Sequence, residues 1–149
     1  MASPIKQTKQ GIRQVEVTIL DEKLVRVGTT YIPVTDVERS ARWYTDKLGA
    51  NLTYIDGDKA IVNLANQSMF LVKSSEGQTS NFIDVYGEEC FSLTFEVNGL
   101  ESLKTLHKEF KENDIKVGHI ENRGHAGRNF VFFDPNGNKF DVWSELRMS

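Results

Sequence analysis

The chain has 149 residues and a mass of 16.9 kDa, enough for one domain or for two half-size modules that share a core. Hydrophobic residues make up 39% and charged residues 26%, as in ordinary globular proteins, and the net charge of -3 without a basic stripe argues against nucleic acid as a partner. No apolar run approaches the roughly 20 residues that a membrane span needs, and the first residues lack the apolar stretch of a signal peptide. We therefore expect a cytoplasmic protein without a membrane partner.

The start of the chain differs in composition from the rest. Residues 1–14, MASPIKQTKQGIRQ, hold few large apolar side chains and are predicted to form a flexible arm. Residues 15–149 are predicted to form a single domain with two modules, at about 25–75 and about 90–146. The segment VEVTIL, residues 15–20, alternates like a short strand. The arm and this strand could cover a sheet edge or swap between subunits.

The first module is predicted to run from a strand through a helix to a hairpin. Thr35 and Glu38 form a candidate capping box for a helix that begins near Val37, and Gly49 supplies its stop. The segments KAIVNLA and SMFLVK then predict two strands joined by a tight turn at Asn66-Gln67, and NLTYI is a possible further strand.

The same order returns in the second half of the chain. Alternation from Cys90 to Val97 predicts a strand, and the segment NGLE at residues 98–101 is a second candidate cap. The next helix carries an apolar stripe formed by Leu100, Leu103, Leu106 and Phe110. The strand KVGHI, the Gly-rich loop ENRGHAGR and a hairpin from FVFF to KFDVW follow. This order indicates an internal repeat of about 60 residues.

Two segments carry a resemblance to a known family. YIPVTDVERSARWYTDKLGA and FVFFDPNGNKFDVW, in this order and at this separation, resemble the vicinal oxygen chelate superfamily, also called the glyoxalase, bleomycin resistance and extradiol dioxygenase family. The resemblance covers roughly residues 25–146. It implies an α+β fold in which two βαβββ modules form one domain with sheets curled around an open cavity. It also implies a homodimer in which a second subunit completes or flanks that cavity.

Strand alternation predicts which side chains face the cavity, because successive side chains of a strand point to opposite faces. The candidates are Thr29, Tyr31, Phe70, Val72, Ser92, Thr94, Asp141 and Trp143. In the Gly-rich loop, Gly124 and Gly127 would permit mobility, so that His125 and Arg128 could present polar groups to a ligand. Aromatic side chains on this face are typical of small-molecule pockets, although they could also fill the cavity as core.

The resemblance also implies where a metal would bind. Metal-dependent members take one ligand from the first strand and one from the last strand of each module, and these places fall at Thr29, Phe70, Ser92 and Asp141. A neutral hydroxyl is a poor ligand for Zn²⁺, Ni²⁺ or Fe²⁺, and a phenyl ring cannot ligate. The sequence therefore predicts no metal cofactor at the usual site. A displaced divalent-metal site formed by His119, His125 and Asp141 is the alternative.

Other catalytic signatures are missing from the sequence. It contains no nucleophile elbow, no phosphate-binding loop and no dinucleotide fingerprint. The single cysteine, Cys90, cannot form an internal disulfide or a redox pair and is interpreted as a small buried residue.

Function therefore depends on Asp141. It could be a polar residue hydrogen-bonded to Thr29 or Ser92, an anchor for a cationic or hydroxylated ligand, or a general base. The sequence favours a metal-free small-molecule-binding protein of the bleomycin resistance type, a dimer that sequesters an aromatic or cationic compound. The alternatives are a superfamily enzyme, acting as a lyase, isomerase, transferase or dioxygenase through a displaced metal or through Asp141, and a module for protein contacts.

Overall fold

A computed structural model of the chain describes residues 23–146 and, as backbone only, residues 7–8 and 11–12. The two early segments form short strands, β1 (Gln7–Thr8) and β2 (Gly11–Ile12), which pair antiparallel with each other. Most of the predicted arm and the whole predicted strand at VEVTIL lie outside the described residues.

Two modules with the same order of elements follow. The first contains β3 (Thr29–Val34), α1 (Val37–Leu48), β4 (Asn51–Ile55), β5 (Lys59–Leu64) and β6 (Gln67–Lys73). A short hairpin comes next and contains β7 (Phe82–Ile83) and β8 (Glu89–Cys90). The second module contains β9 (Thr94–Glu96), α2 (Leu100–Glu112), β10 (Lys116–Val117), β11 (Asn129–Phe133) and β12 (Lys139–Trp143). The α+β fold with two βαβββ modules is confirmed, while the curling of their sheets around one cavity stays a prediction.

The two sheets share one topology. Their strand orders are β3-β6-β5-β4 and β9-β12-β11-β10, and in each sheet the first strand of the module pairs parallel with the last. Tyr31 lies opposite Phe70, and Thr94 lies opposite Asp141. Tyr31 and Thr94 both precede the first residue of their helix by six positions (37 − 31 and 100 − 94). Phe70 and Asp141 are therefore equivalent positions of the repeat.

One hydrophobic core runs through both modules. In the first sheet Met69 and Leu71 are buried while Phe70 between them is only partly so, as the alternation predicts. In the second sheet Phe140 and Val142 are buried in the same cluster. Each sheet thus turns one apolar face to the core and leaves the opposite face for other contacts.

Helix α1 is capped one residue later than the sequence predicts. The carboxylate of Asp36, not the hydroxyl of Thr35, accepts a hydrogen bond from the backbone N–H of Arg39, at 3.0 Å. Asp36 has the extended backbone that an N-cap requires, and Thr35 instead accepts a bond from Asn136. Gly49 ends the helix in the left-handed region, as expected. Helix α2 has Gly99 at its N-cap, without a side-chain cap bond.

Some strand boundaries also differ from those predicted. Cys90 belongs to the hairpin, where it pairs with Phe82, so the predicted strand from Cys90 to Val97 is reduced to Thr94–Glu96. The turn between β5 and β6 lies at Ala65 and Asn66, whose φ values are 52° and 66°, because a two-residue hairpin turn of the favoured twist needs positive φ at both positions. It is one residue earlier than predicted.

The turn DPNG, residues 134–137, joins the second module to the first. The phenol of Tyr44 in α1 donates a 2.7 Å hydrogen bond to Asp134, and the Asn138 side chain donates to Asp134 at 2.8 Å and to the carbonyl of Pro33 at 2.9 Å. Tyr44 and Asn138 are fully buried. Burial, reinforced by the negative charge and hydrogen bond of Asp134, raises the pKa of Tyr44 well above its usual value. We call these residues the Asp134 hub.

Candidate functional site

Asp141 lies on the open face of the second sheet and is 2% exposed. Its Oδ2 atom accepts hydrogen bonds from the Thr94 hydroxyl at 3.1 Å and from the Asn129 amide at 2.9 Å. Its Oδ1 atom accepts one from Arg123 at 3.0 Å, which is also an ion pair. The partners of Asp141 are therefore Thr94, Asn129 and Arg123, not Thr29 or Ser92 as one reading of the sequence proposed.

Arg123 is the functional candidate that the sequence analysis missed. It bridges two carboxylates, because its Nε atom donates to Glu121 at 2.9 Å while its Nη2 atom donates to Asp141. Burial alone would lower the pKa of Arg123, but the hydrogen bonds and charges of Glu121 and Asp141 outweigh burial and raise it. Its guanidinium also lies 5.6 Å from the ring centre of Phe91. The available signal was that a buried strand carboxylate needs a cation and that the neighbouring loop contains two arginines.

The Gly-rich loop at residues 121–128 folds over the end of β12. The Trp143 indole N–H donates to the carbonyl of Ala126 at 3.0 Å, and the His125 ring meets the Trp143 ring edge-on at 5.9 Å. A side chain at Gly127 would come within 2.6 Å of Ser144 and Glu145 and 2.9 Å of Trp143. Gly127 therefore permits close packing against the end of β12, while the mobility predicted for the loop stays a prediction.

The other predicted residues of the second module are less engaged. Arg128 lies in the same loop, where its guanidinium donates to the carbonyl of Gly127 at 3.1 Å and its backbone N–H donates to Ser144. Ser92 is exposed and lies 3.4 Å from the carbonyl of Ser80. Arg128 and Ser92 thus have local partners, and the side chain of Asp141 is bonded to Thr94, Asn129 and Arg123 instead.

The open face of the first sheet carries the remaining candidates. The rings of Tyr31 and Phe70 lie 5.0 Å apart, and Tyr31 is 63% exposed. Thr29 lies two residues earlier on the same face and pairs with Ser68. This face is aromatic where the equivalent face of the second module is charged.

The ten predicted contact residues fall in two groups, one in each module. Thr29, Tyr31, Phe70 and Val72 form the first group, on the first sheet, and the second group lies in the second module around Asp141. Three clefts that we located among residues 23–146 contain none of the ten. The role of both groups in ligand contact, and their meeting in one cavity, stay predictions.

The four family positions do not fit a divalent metal ion. Thr29 and Ser92 offer neutral hydroxyls, Phe70 offers no donor, and both oxygens of Asp141 already accept hydrogen bonds. His119 and His125 are exposed. Across the part of the chain that the structure describes, no three His, Cys, Asp or Glu side chains come together as a metal site, so the displaced set of His119, His125 and Asp141 is not assembled.

One polar atom beside Asp141 is unpaired. The Oδ1 atom of Asn129 is buried without a hydrogen-bond partner, although the amide nitrogen of the same side chain bonds to Asp141. Reversing the amide would place its oxygen against the carboxylate, so the hydrogen bonding supports the present orientation. An unpaired buried acceptor is costly and is satisfied when a donor arrives.

The fold and this site can now be compared with known proteins. The model of the Glyoxalase/Bleomycin resistance protein/Dioxygenase superfamily matches residues 24–142, so the chain belongs to this superfamily. No curated protein matches the sequence. Among the described residues, none of the helices is both long and apolar enough to cross a membrane.

Several solved structures share the fold. Lactoylglutathione lyase from Agrobacterium tumefaciens is 18% identical, with 83% of this chain and 96% of that chain covered and a TM-score of 0.65. The fosfomycin resistance protein FosX from Listeria monocytogenes, solved with Mn(II) and sulfate, is 12% identical, with coverage of 83% and 92% and a TM-score of 0.66. TnmS3, an antibiotic binding protein from Streptomyces sp. CB03234, is 19% identical, with coverage of 84% and 99% and a TM-score of 0.65.

Proposed function

We propose that the chain is a small-molecule-binding protein that holds its ligand without a metal ion at the family position. The observation that carries this proposal is the state of Asp141, whose charge is matched by Arg123 and whose two oxygens accept three hydrogen bonds. A carboxylate held in this way shapes a binding surface, whereas a metal ligand or a general base needs an oxygen lone pair directed at the metal or the proton. An enzyme that used Asp141 as base would first have to release it from Arg123.

The proposed ligand is an aromatic compound that carries a cationic or hydrogen-bond-donating group. Trp143 and His125 offer ring surfaces, and the nearby Asn129 oxygen needs a donor. Within the cluster formed by Glu121, Arg123 and Asp141, the two carboxylates outweigh the single guanidinium, so this cluster has a negative balance. TnmS3, which is named an antibiotic binding protein, is an example of ligand binding on this fold.

A homodimer is part of the proposal, because each open face is incomplete on its own. The strands β3 and β9 each lie at one edge of their sheet, and the exposed Tyr31 lies on β3. A second copy could bring the aromatic face of one chain against the charged face of the other. This arrangement would bring the two groups of candidate residues together across the interface.

Metal content tests the central claim. Protein purified without chelator, then dialysed against Zn²⁺, Ni²⁺, Mn²⁺ and Fe²⁺, is expected to retain far less than one ion per chain, in wild type and in Asp141→Asn alike. Near-stoichiometric metal in wild type that is lost in Asp141→Asn would overturn the proposal. Arg39→Met is a surface control, because the Arg39 side chain is exposed on α1.

Ligand binding and assembly test the rest. Aromatic amines are expected to quench Trp143 fluorescence saturably in the Trp43→Phe background, and Asn129→Leu is expected to weaken binding of the amine that binds most tightly.

Sedimentation equilibrium is expected to give a dimer that Tyr31→Glu dissociates. A monomer at all concentrations would contradict the dimer. A set of aromatic amines of which none quenches Trp143 fluorescence saturably would contradict the proposed ligand surface.

A further inference from the structure

One of the three clefts lies between the modules, on the core side of the second sheet. It has a volume of about 380 Å³, within the range of small-molecule sites. From the first module it is lined by the end of α1 and by the turn after β5. From the second module it is lined by strands β9, β11 and β12 and by α2. We call it the inter-module cleft.

The floor of the inter-module cleft is aromatic. The rings of Phe95 and Phe132 stack at 6.1 Å, and the ring of Phe110 meets that of Phe132 edge-on at 5.0 Å. Leu48 and Leu64 of the first module face the cleft from the other side. A flat apolar molecule that entered would replace water against rings and aliphatic chains, which favours binding.

The rim of the cleft is acidic. Asp46 and Glu109 line it, against the single basic residue Lys47. The Lys47 ammonium is engaged across the module boundary, where it donates to the carbonyl of Asn113 at 2.7 Å. An adjoining groove shares Glu109 and adds Glu101. The rim therefore attracts a positive group and repels a negative one.

An unpaired acceptor lies next to the cleft. The Oε1 atom of Gln67 is buried without a hydrogen-bond partner, and Gln67 is directly opposite the cleft residue Leu64 in the β5–β6 ladder. Side chains directly opposite each other in a ladder lie on the same face of the sheet. A donor bound at this end of the cleft would satisfy an atom that is otherwise left unpaired.

We propose that the inter-module cleft is a binding site for a molecule with an aromatic ring and one positively charged amine. This site is distinct from the surface around Asp141. Phe95 and Val142 line the cleft, whereas their strand neighbours Thr94 and Asp141 point to the opposite face of the same sheet. The inference does not depend on the function proposed above.

Two probes of the same shape and opposite charge test the site. 1-Naphthylmethylamine and 1-naphthylacetate are titrated into the full chain, and binding is followed by naphthalene fluorescence and by methyl NMR of the leucines. The amine is expected to bind saturably, to shift the methyl signals of Leu48, Leu64 and Leu106, and to bind at least about 5-fold more tightly than the carboxylate. Any shift of the Trp143 indole signal would report separate binding at the surface around Asp141, and Leu106→Trp is expected to leave that shift unchanged.

Three variants locate the site. Glu109→Gln is expected to weaken binding of the amine by about 2- to 5-fold. Glu112→Gln, a change at an exposed position at the end of the same helix, is expected to leave the affinity unchanged. Leu106→Trp is expected to fill the cleft and to abolish binding with the fold retained, as judged by circular dichroism. Equal binding of both probes, shifts at Trp143 instead of the leucines, unaltered binding by Leu106→Trp, or no saturation at millimolar amine would each overturn the proposal.

Discussion

At the residue scale, the partly buried ion pair between Arg123 and Asp141 affects stability directly. Asp141 is 2% exposed and the Arg123 side chain is 26% exposed, so the pair is shielded on one side and wet on the other. Removing one partner of such a pair leaves a charge without compensation in a poorly solvated place. The pair is therefore sensitive to single substitutions and less sensitive to neutralisation of both members.

Arg123→Met is expected to lower the free energy of unfolding by about 1–3 kcal/mol, the lower range reflecting the partial exposure of the guanidinium. Urea denaturation measures the change. The double variant Arg123→Met with Asp141→Asn should be at least about 1 kcal/mol more stable than the sum of the single changes implies. Arg39→Met, on the exposed face of α1, should change stability by less than about 0.5 kcal/mol. A loss of stability in Arg123→Met as small as in this control would show that the ion pair does not stabilise the fold.

Tyr44 makes the stability of the protein dependent on alkaline pH. Its pKa is raised in the folded state above the ordinary value of 10.0, so the unfolded chain releases this proton first. The stabilisation is fully present below pH 10 and is lost progressively as pH rises from there through the raised pKa of the folded state. Tyr44→Phe should reduce stability at pH 7 by about 1–3 kcal/mol, because Asp134 loses one donor.

The same Tyr44→Phe variant should lose stability less steeply above pH 10, by up to about 1.4 kcal/mol per pH unit relative to wild type. Urea midpoints between pH 9 and 11 measure the two slopes. Tyr86→Phe is the control, since the Tyr86 ring is 86% exposed. Parallel plots of urea midpoint against pH for wild type and Tyr44→Phe would show that the Asp134 hub does not raise the pKa of Tyr44.

At the scale of elements, β12 and the Gly-rich loop act as one unit. The backbone N–H of Arg128 bonds to the Ser144 hydroxyl at 2.9 Å, and the Trp143 indole bonds to Ala126. These bonds fix the loop over the strand that carries Asp141, so the loop that supplies Arg123 is positioned by the end of β12. The two glycines in the loop allow this packing to be tested.

Gly127→Ala should displace the loop, whereas Gly124→Ala should not. Both glycines have positive φ, 80° and 91°, so both variants carry similar backbone strain. Only at Gly127 would the added Cβ lie within 3 Å of neighbouring atoms, while nothing lies within 4 Å at Gly124. The Trp143 indole N–H resonance should shift in Gly127→Ala alone, with an extra loss of about 1 kcal/mol or more. Equal losses of stability in the two variants would mean that backbone strain at positive φ, not crowding around the added Cβ, causes the destabilisation.

At the scale of the whole molecule, the two modules share one core and the Asp134 hub. The core cluster takes Ile32 and Leu71 from the first module and Phe132 and Val142 from the second. In the hub, the Tyr44 phenol donates to Asp134 and the Asn138 side chain donates to the carbonyl of Pro33. Tyr44 and Pro33 both belong to the first module. The modules are therefore coupled by apolar packing as well as by polar bonds.

This coupling predicts a single cooperative unfolding transition. The chain has two tryptophans, Trp43 in α1 and Trp143 in β12, so each module has its own probe. The variants Trp143→Phe and Trp43→Phe should give fluorescence midpoints in urea that agree with the circular dichroism midpoint of the same variant, within about 0.2 M. A fluorescence transition that separates from the circular dichroism transition would indicate modules that unfold independently.

Local patterns in the sequence were sufficient for the repeat, the two helices and the faces of the strands. Helical spacing and strand alternation are set by backbone geometry within a few residues, and the buried Met69, Leu71, Phe140 and Val142 follow that alternation. The family motifs placed Phe70 and Asp141 at equivalent positions, and the ladder registers agree. The lack of good ligand chemistry at Thr29, Phe70 and Ser92 was likewise visible from residue types alone.

Only the tertiary structure decided the partners of these residues. The path of the loop at residues 121–128 over β12 determines which basic side chain reaches Asp141. That side chain belongs to Arg123, which is 18 positions away in sequence. The choice of Asp36 over Thr35 as cap, and of Tyr44 as a partner of Asp134, depends on distances between segments far apart in the chain. Such contacts are set by the packing of whole elements, which periodicity in one sequence does not encode, because periodicity specifies a face but not what lies against it.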